Sequence, residues 1–299
     1  MPALNSGYIY RHRAGHDAAG VDIVAYHALQ FRQRTAPEWR DVIAGGLVHV
    51  NGRVADVDQR LRDGDEIEFH RPPWIEPDAP AHFGVVYEDD HVLVVEKPSG
   101  LQVLPAGPFN DRTLLWLVRA SAPHRAESSP VHRLGRGTSG LVLFGLTSFA
   151  RSELSMQFEA RTPTKTYLAL VEGTSLPDSC LARQPIGKVP HGPMSLYVAK
   201  EGGKPSLTRL RVLARDPARA RSLVAAQPVT GRPDQIRIHV AACGAPLVGD
   251  PLFGPGGVAK SDVPPGTGGY FLHAAALRVA HPATGRPIKF RSRPAWLER

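Results

Sequence analysis

The sequence predicts an α+β fold in two parts, with a mixed or antiparallel sheet in the larger part. Three observations lead there. The C-terminal two-thirds carries hairpins and adjacent strands without regular strand–helix alternation, and no dinucleotide-type glycine fingerprint follows a strand. A shorter pattern of two helices, tight turns and short strands precedes it. Between them lies HRPPWIEPDAPAH, His70 to His82, whose four prolines in thirteen residues exclude helix or central strand. A semi-stiff linker is expected over 71–82, between a small domain at 21–70 and a larger one at 83–299.

Residues 1–20 are polar and irregular and are expected as a tail, either loose or an edge segment, with His12 and His16 solvated. In VDIVAYHALQFRQR, residues 21–34, Val21, Val24, Ala25, Ala28 and Leu29 follow helical spacing. Thr35 and Glu38 form a capping-box pattern for a second helix carrying Trp39, Val42 and Ile43, which Gly45-Gly46 ends. The strand LVHV runs into an Asn51-Gly52 turn. A further turn at Asp63-Gly64 precedes a strand with Ile67 and Phe69 facing inward.

In the larger part, Val85–Tyr87 and Val92–Val95 make a hairpin around Asp89-Asp90, and Leu141–Thr147 is a strand. SFARSELSMQFEA is a helix capped by Ser148, with Ala150, Leu154 and Phe158 on one face. Lys165–Gly173 is a strand, and SLTRLRVLAR pairs antiparallel with ARSLVAAQPV. PDQIRIHVAACG is a short helix with Ile236, Val240 and Cys243 as its buried stripe and Gly244 as its stop.

Composition narrows the function. The formal net charge of +8 and a pI near 9.8 favour a polyanionic partner, though they also suit a basic enzyme. Cys180 and Cys243 form no CxxC pair, so no zinc site is expected, and they read as small buried hydrophobes of a reducing compartment. No apolar run approaches the ~20 residues of a membrane span, and the N-terminus lacks a signal-peptide core. A cytoplasmic protein, monomeric by default, is expected. The stretch that invites a chemical reading is VHRLGRGTSGLVLF, Val131 to Phe144: two arginines, a histidine and three glycines before an apolar strand, and no carboxylate.

EWRDVIAGGLVHVNGRVADVDQRLRDGDEIEF resembles the small α/β RNA-binding domain first known from a ribosomal small-subunit protein. The resemblance covers roughly residues 20–70 and makes Arg32, Arg34, Arg40 and Arg53 phosphate contacts. Further on, EDDHVLVVEKPSGLQVLP, VHRLGRGTSGLVLFGLT, KTYLALVEG, TGRPDQIRIHVAACGAPLVGDPLFG and FLHAAALRVAHPATGRPIKF follow one another. In content and order they resemble the RluA-type family of RNA pseudouridine synthases along almost all of 83–299. That resemblance implies a mixed, mostly antiparallel sheet with an RNA cleft across its middle. It also implies isomerisation of a uridine extruded from structured rRNA or tRNA, without metal or cofactor. Tyr167 would lie against the flipped base, and Arg237 would pair with the catalytic carboxylate. His132, Arg133 and Arg136 would border the RNA, and Lys97, Pro98 and Gly100 would shape the pocket wall, with Lys97 an RNA contact.

Two departures matter. The family loop reads His-Arg-Leu-Asp-Arg, and its aspartate is the residue to which catalysis is assigned; here that position is Gly135. Glycine cannot act as nucleophile, base or ion-pair partner, although it would tolerate a left-handed backbone and close RNA approach. The family's Thr-Gly-Arg-Thr-His-Gln is here Thr230-Gly231-Arg232-Pro233-Asp234-Gln235. Asp234 and Arg237 are three apart on one helix face, so Asp234 could partner Arg237 in place of the lost aspartate. A carboxylate after Pro233 equally suits a helix N-terminus. Three functions stay open: an isomerase with an altered site, a non-catalytic RNA binder on the same fold, and a hydrolase using Ser139 or Ser99 with a histidine. The last is disfavoured, because neither serine lies in a GxSxG elbow.

Overall fold

The computed structural model describes residues 4–297 apart from 32, 192–193, 258, 261–262 and 264–267. The chain divides after Pro77 into two units, inside the proline-rich stretch.

The first unit contains β1 (Tyr8–Arg13), α1 (Ile23–Gln30), α2 (Ala36–Ala44), β2 (Val48–Val50), β3 (Arg53–Val54) and β4 (Glu66–Arg71). Its sheet runs β1-β4-β2-β3 with every pair antiparallel, so this unit is α+β rather than α/β. The expected tail is in fact an edge strand: β1 pairs with β4 from Tyr8–Arg71 to Arg13–Glu66. His12 is accordingly not solvated but half-buried, stacked on Tyr26. Asp22 starts α1 by accepting the Val24 and Ala25 N–H groups, each at 3.0 Å. Glu38 reaches back to the Thr35 N–H at 2.6 Å, as the capping pattern requires. Asn51 and Gly52 both adopt positive φ, 52° and 76°, which matches a two-residue hairpin turn to the twist of β2 and β3. Ile23, Trp39, Ile43, Val48, Leu61 and Ile67 fill the core.

The second unit contains β5 (Gly84–Glu88), β6 (Val92–Lys97), α3 (Leu114–Ser121), β7 (Ser129–Pro130), β8 (Ser139–Gly145), α4 (Ser148–Glu159) and β9 (Thr164–Glu172). It continues with β10 (Ser179–Ala182), β11 (Ile186–His191), β12 (Met194–Ala199), β13 (Thr208–Asp216), β14 (Arg221–Pro228), α5 (Gln235–Ala242), β15 (Leu272–Ala280) and β16 (Pro287–Arg291). Ten strands make one sheet in the order β10-β13-β14-β9-β15-β8-β6-β5, with β16 on β15 and β7 on β8. Among the described residues β15 and β8 are the one pair of its strands that runs parallel, so the sheet is mixed and mostly antiparallel. β11 and β12 form a separate hairpin.

Strand periodicity explains the two-sided core. On β8, Val142 and Phe144 join one buried cluster with Leu93 and Val95. Leu141 and Leu143 join the cluster on the opposite face with Val92 and Val94. α4 is capped by Thr147 rather than Ser148, because the Thr147 hydroxyl accepts the Ala150 N–H at 3.1 Å. α5 is not the one-stripe helix expected; Gln235 through Ala241 are all buried. Ile236 and Val240 pack into the sheet cluster, while Ile238 and Ala241 pack with the β11–β12 hairpin. The helix is wedged between the two, and the Arg237 guanidinium lies between one ring of each, Tyr270 and Phe253.

Where β8 crosses β15 there is room only for glycine. Gly140 has φ 109°, and a Cβ there would collide with the Ala274 carbonyl and lie 2.6 Å from its nitrogen. Gly140→Ala is expected to lower stability by about 3 kcal/mol or more, from strain and overpacking together, as read by urea denaturation.

Candidate active site

Arg237, in the first turn of α5, is 2% exposed. A buried guanidinium must be paired, and this one is paired twice. Its Nε and Nη2 donate to Asp250 Oδ2 and Oδ1 at 2.9 and 2.8 Å, and its Nη1 donates to Asp234 Oδ1 at 2.9 Å. Tyr270 lies against the guanidinium at 4.2 Å and Phe253 at 4.9 Å. Burial opposes the charge, but the Asp250 bonds and the Asp234 carboxylate outweigh it and raise the Arg237 pKa. Asp250 Oδ1 also accepts the N–H groups of Leu252 and Phe253 at 2.9 and 3.1 Å. That locks the GDPLFG turn onto the arginine.

Of the two roles open to Asp234, the ion pair is the one formed. Its side chain makes no cap bond to α5, and its backbone is left-handed, with φ 52° and ψ 15°. The turn before it is fixed by Gln235, which is buried. Gln235 Oε1 accepts from the Thr230 hydroxyl at 2.7 Å and the Arg232 N–H at 3.0 Å. Its Nε2 donates to the Leu207 carbonyl and Thr208 hydroxyl on the sheet side.

Gly135 is exposed, and neither it nor Gly137 adopts positive φ. The left-handed backbone that glycine would permit is therefore not the reason for these residues; space is. A Cβ on Gly135 would lie 3.0 Å from Tyr270 Oη, and one on Gly137 would lie 2.9 Å from two Tyr270 ring carbons. The Tyr270 ring is packed against the loop, its hydroxyl 3.2 Å from that of Thr138. Burial raises the Tyr270 pKa despite the neighbouring Arg237 charge, so the phenol is neutral. Sequence reasoning missed Tyr270, because a tyrosine sixteen residues beyond GDPLFG carries no local signal.

Tyr167 stands near the centre of the sheet on β9, opposite Ala226 on β14 and Ala274 on β15. Both cross-strand neighbours are alanines, and the ring packs against the clusters on β9's two sides that hold Tyr270 and Leu134. The ring is half-buried beside the cluster that holds Tyr270. Among the described residues its hydroxyl has no hydrogen-bond partner, and burial pushes its pKa up to about 12.

Two expected RNA contacts are interior groups. Lys97 is fully buried, and its Nζ donates to the carbonyls of Leu101, Pro98 and Arg136 at 2.7, 2.9 and 3.1 Å. Desolvation, then the Arg136 charge, pull its pKa down to about 7. It staples the KPSG turn to the 131–138 loop and cannot reach a ligand. His132 is half-buried, stacked on Phe158 at 4.9 Å, and its Nε2 accepts the Leu143 N–H at 3.1 Å. Burial first, and Lys165 second, lower its pKa to about 3. Arg133 is exposed, whereas Arg136 is half-buried beside the Phe109 ring at 5.4 Å. In the first unit Arg53 is exposed, Arg40 is 3.7 Å from Asp58, and Arg34 lies over Trp39 and Phe69. Arg32 lies outside the described residues.

Ser139 does meet a histidine, His273 Nδ1 at 2.8 Å, but the other ring nitrogen bonds the Ser292 hydroxyl and no carboxylate orients it. His273 is 1% exposed, and burial lowers its pKa to about 4. Ser99 donates to the Gly137 carbonyl at 2.7 Å. Neither serine is an activated nucleophile. Cys180 and Cys243 are half-buried free thiols. Among the described residues no cluster of histidine, cysteine, aspartate and glutamate could hold a metal ion.

The fold and site together define a class: a mixed-sheet protein whose buried arginine is held between carboxylates against Tyr270, a ring that also packs on a glycine-rich basic loop. The chain matches the RNA pseudouridylate synthase family over residues 91–242. It is 37% identical to RNA pseudouridine synthase 5 of Oryza sativa subsp. japonica, over 96% of this chain and 87% of that one. It is 35% identical to the ribosomal large subunit pseudouridine synthase D of Neisseria meningitidis, over 83% of this chain and 69% of that one. The structure of human RNA pseudouridylate synthase domain containing 1 superposes with a TM-score of 0.58 at 30% identity, over 74% of this chain and 86% of that one. The chain belongs to the RNA pseudouridine synthase family, whose members are isomerases.

Two consequences can be measured. Lys97→Met would leave the interior carbonyls of Pro98 and Leu101 without a donor, the Arg136 carbonyl keeping the Gly100 N–H, and is expected to cost about 3 kcal/mol in denaturant melts. His132 and His273 carry folded pKa values below the ordinary 6.5, so the unfolded chain takes up protons first. Their contribution to stability is complete above pH 6.5 and is lost as pH falls toward 4 and then 3. Melting temperature is expected to fall over that range, less steeply in His132→Gln.

Proposed function

We propose that the chain isomerises a uridine in structured RNA, ribosomal in preference to transfer RNA, as a cytoplasmic monomer. The target base is flipped out of its stack and received against Tyr167. Arg133 and Arg136 border the RNA backbone, and Arg53 adds a phosphate contact from the first unit. The preference for ribosomal RNA follows the Neisseria relative's name, and the cytoplasmic setting follows the two unbonded thiols.

The observation that carries the reading is the Arg237 cluster. Beyond locking the GDPLFG turn, the buried guanidinium holds a partly exposed carboxylate, Asp234, in place. A reaction that develops charge at a sugar carbon uses it, because fixed charges in a water-poor site act strongly.

The second reading, a non-catalytic RNA binder, is favoured by one observation: the 131–138 loop offers no carboxylate. Tritium release from RNA labelled at uridine C5 separates the two. Release by the wild-type protein is the expected result. Release by Gly135→Asp alone would make the native chain a binder. Release by neither, on ribosomal and transfer RNA alike, would overturn the isomerase reading.

A further inference from the structure

We infer that Asp234 is the carboxylate that meets the substrate ribose in this enzyme, with the Tyr270 hydroxyl crowding the 131–138 loop position at Gly135. The inference rests on the chain being an active synthase.

It follows by elimination among the groups around Arg237. Asp250 cannot serve: its side chain is 1% exposed, and its oxygens hold Arg237 Nε, Arg237 Nη2 and two backbone N–H groups. The loop cannot serve, because Gly135 has no side chain and the nearest atom to its absent Cβ is Tyr270 Oη, 3.0 Å away. Tyr270 cannot serve as a base, since its phenol is buried and its pKa raised. Asp234 remains. Its side chain is 30% exposed, Oδ1 is held by Arg237 Nη1, and among the described residues Oδ2 has no hydrogen-bond partner.

The backbone supports the assignment. Asp234 is one of four non-glycine residues with positive φ among those described. A left-handed residue is tolerated by Asp but still costs free energy, and its side chain does not recover that cost by capping α5. The conformation instead turns the carboxylate back over Arg237, with the Gln235 fork holding the preceding turn.

The chemistry balances without any added reactant. As the bond from ribose C1′ to uracil N1 breaks, its electron pair leaves on uracil and positive charge grows at C1′. The free Asp234 oxygen stabilises that charge. After the ring turns, C5 gives its pair to C1′ and the new carbon–carbon bond forms. C5 then loses its proton and N1 gains one, so the product is an isomer of the starting nucleoside.

The test is single-turnover tritium release from C5-labelled ribosomal RNA by the full-length chain. Asp234→Asn tolerates the left-handed backbone and can still accept from Arg237, so chiefly the charge is lost. Asp234→Gly removes the side chain at a φ that glycine favours, which guards against misfolding. Both are expected to lose about a hundredfold or more in rate with RNA affinity little changed. Added formate, a small carboxylate able to sit on Arg237, is expected to restore part of the rate to Asp234→Gly and none to wild type. Either variant turning over within about threefold of wild type would overturn the assignment while leaving the synthase reading intact. No release by wild type would remove both.

Discussion

The buried charge of Arg237 is the constraint on which the site depends. A guanidinium with 2% exposure is stable only among hydrogen-bonding anions, and the surrounding structure supplies them. The GDPLFG turn is folded around Asp250 so that both oxygens face the arginine. Asp234 takes a left-handed backbone to bring its carboxylate to the third edge. Tyr270 offers its ring to the guanidinium face. Gly137 then follows, because its side chain would meet the Gly268 backbone and the Tyr270 ring, and Gly135 is crowded by the Tyr270 hydroxyl, 3.0 Å from where a Cβ would be. The sparse loop is a consequence of how the arginine is housed.

Lys97 shows the contrasting way to bury a cation. It has three carbonyl acceptors and no carboxylate, so its pKa falls toward 7 where that of Arg237 rises. Its role is mechanical. With the Ser99 hydroxyl on the Gly137 carbonyl and the Gly100 N–H on the Arg136 carbonyl, it ties two loops into one rigid wall. The loop that carries Arg133 and Arg136 is held by such backing, since loops are otherwise the mobile parts of a fold.

Charge is divided unevenly along the chain. Residues 1–77 carry nine arginines, no lysine and eleven carboxylates, so the whole positive excess belongs to the second unit. Some of those arginines are also engaged within the unit, Arg34 over two aromatic rings and Arg40 beside Asp58. Long-range attraction for a polyanion therefore comes from the larger unit.

The sequence by itself determined whatever is written in short-range pattern. The capping box at Thr35–Glu38, the Asn51-Gly52 turn, the inward alternation of Ile67 and Phe69, the apolar strands at β6 and β8, the antiparallel β13–β14 pair and the order of five motifs were all legible, because each depends on residues a few positions apart. The i, i+3 spacing of Asp234 and Arg237 was legible for the same reason. Tertiary structure decided the rest. Whether Asp234 capped a helix or paired an arginine depended on Asp250 thirteen residues past Arg237 and on the sheet beneath Gln235. Lys97 and His132 read as surface bases because charge and motif say nothing of burial, which is set by strands closing over them from elsewhere in the chain. The meaning of Gly135 lay in Tyr270, 135 residues away, whose ring reaches the loop only when β15 is laid beside β8.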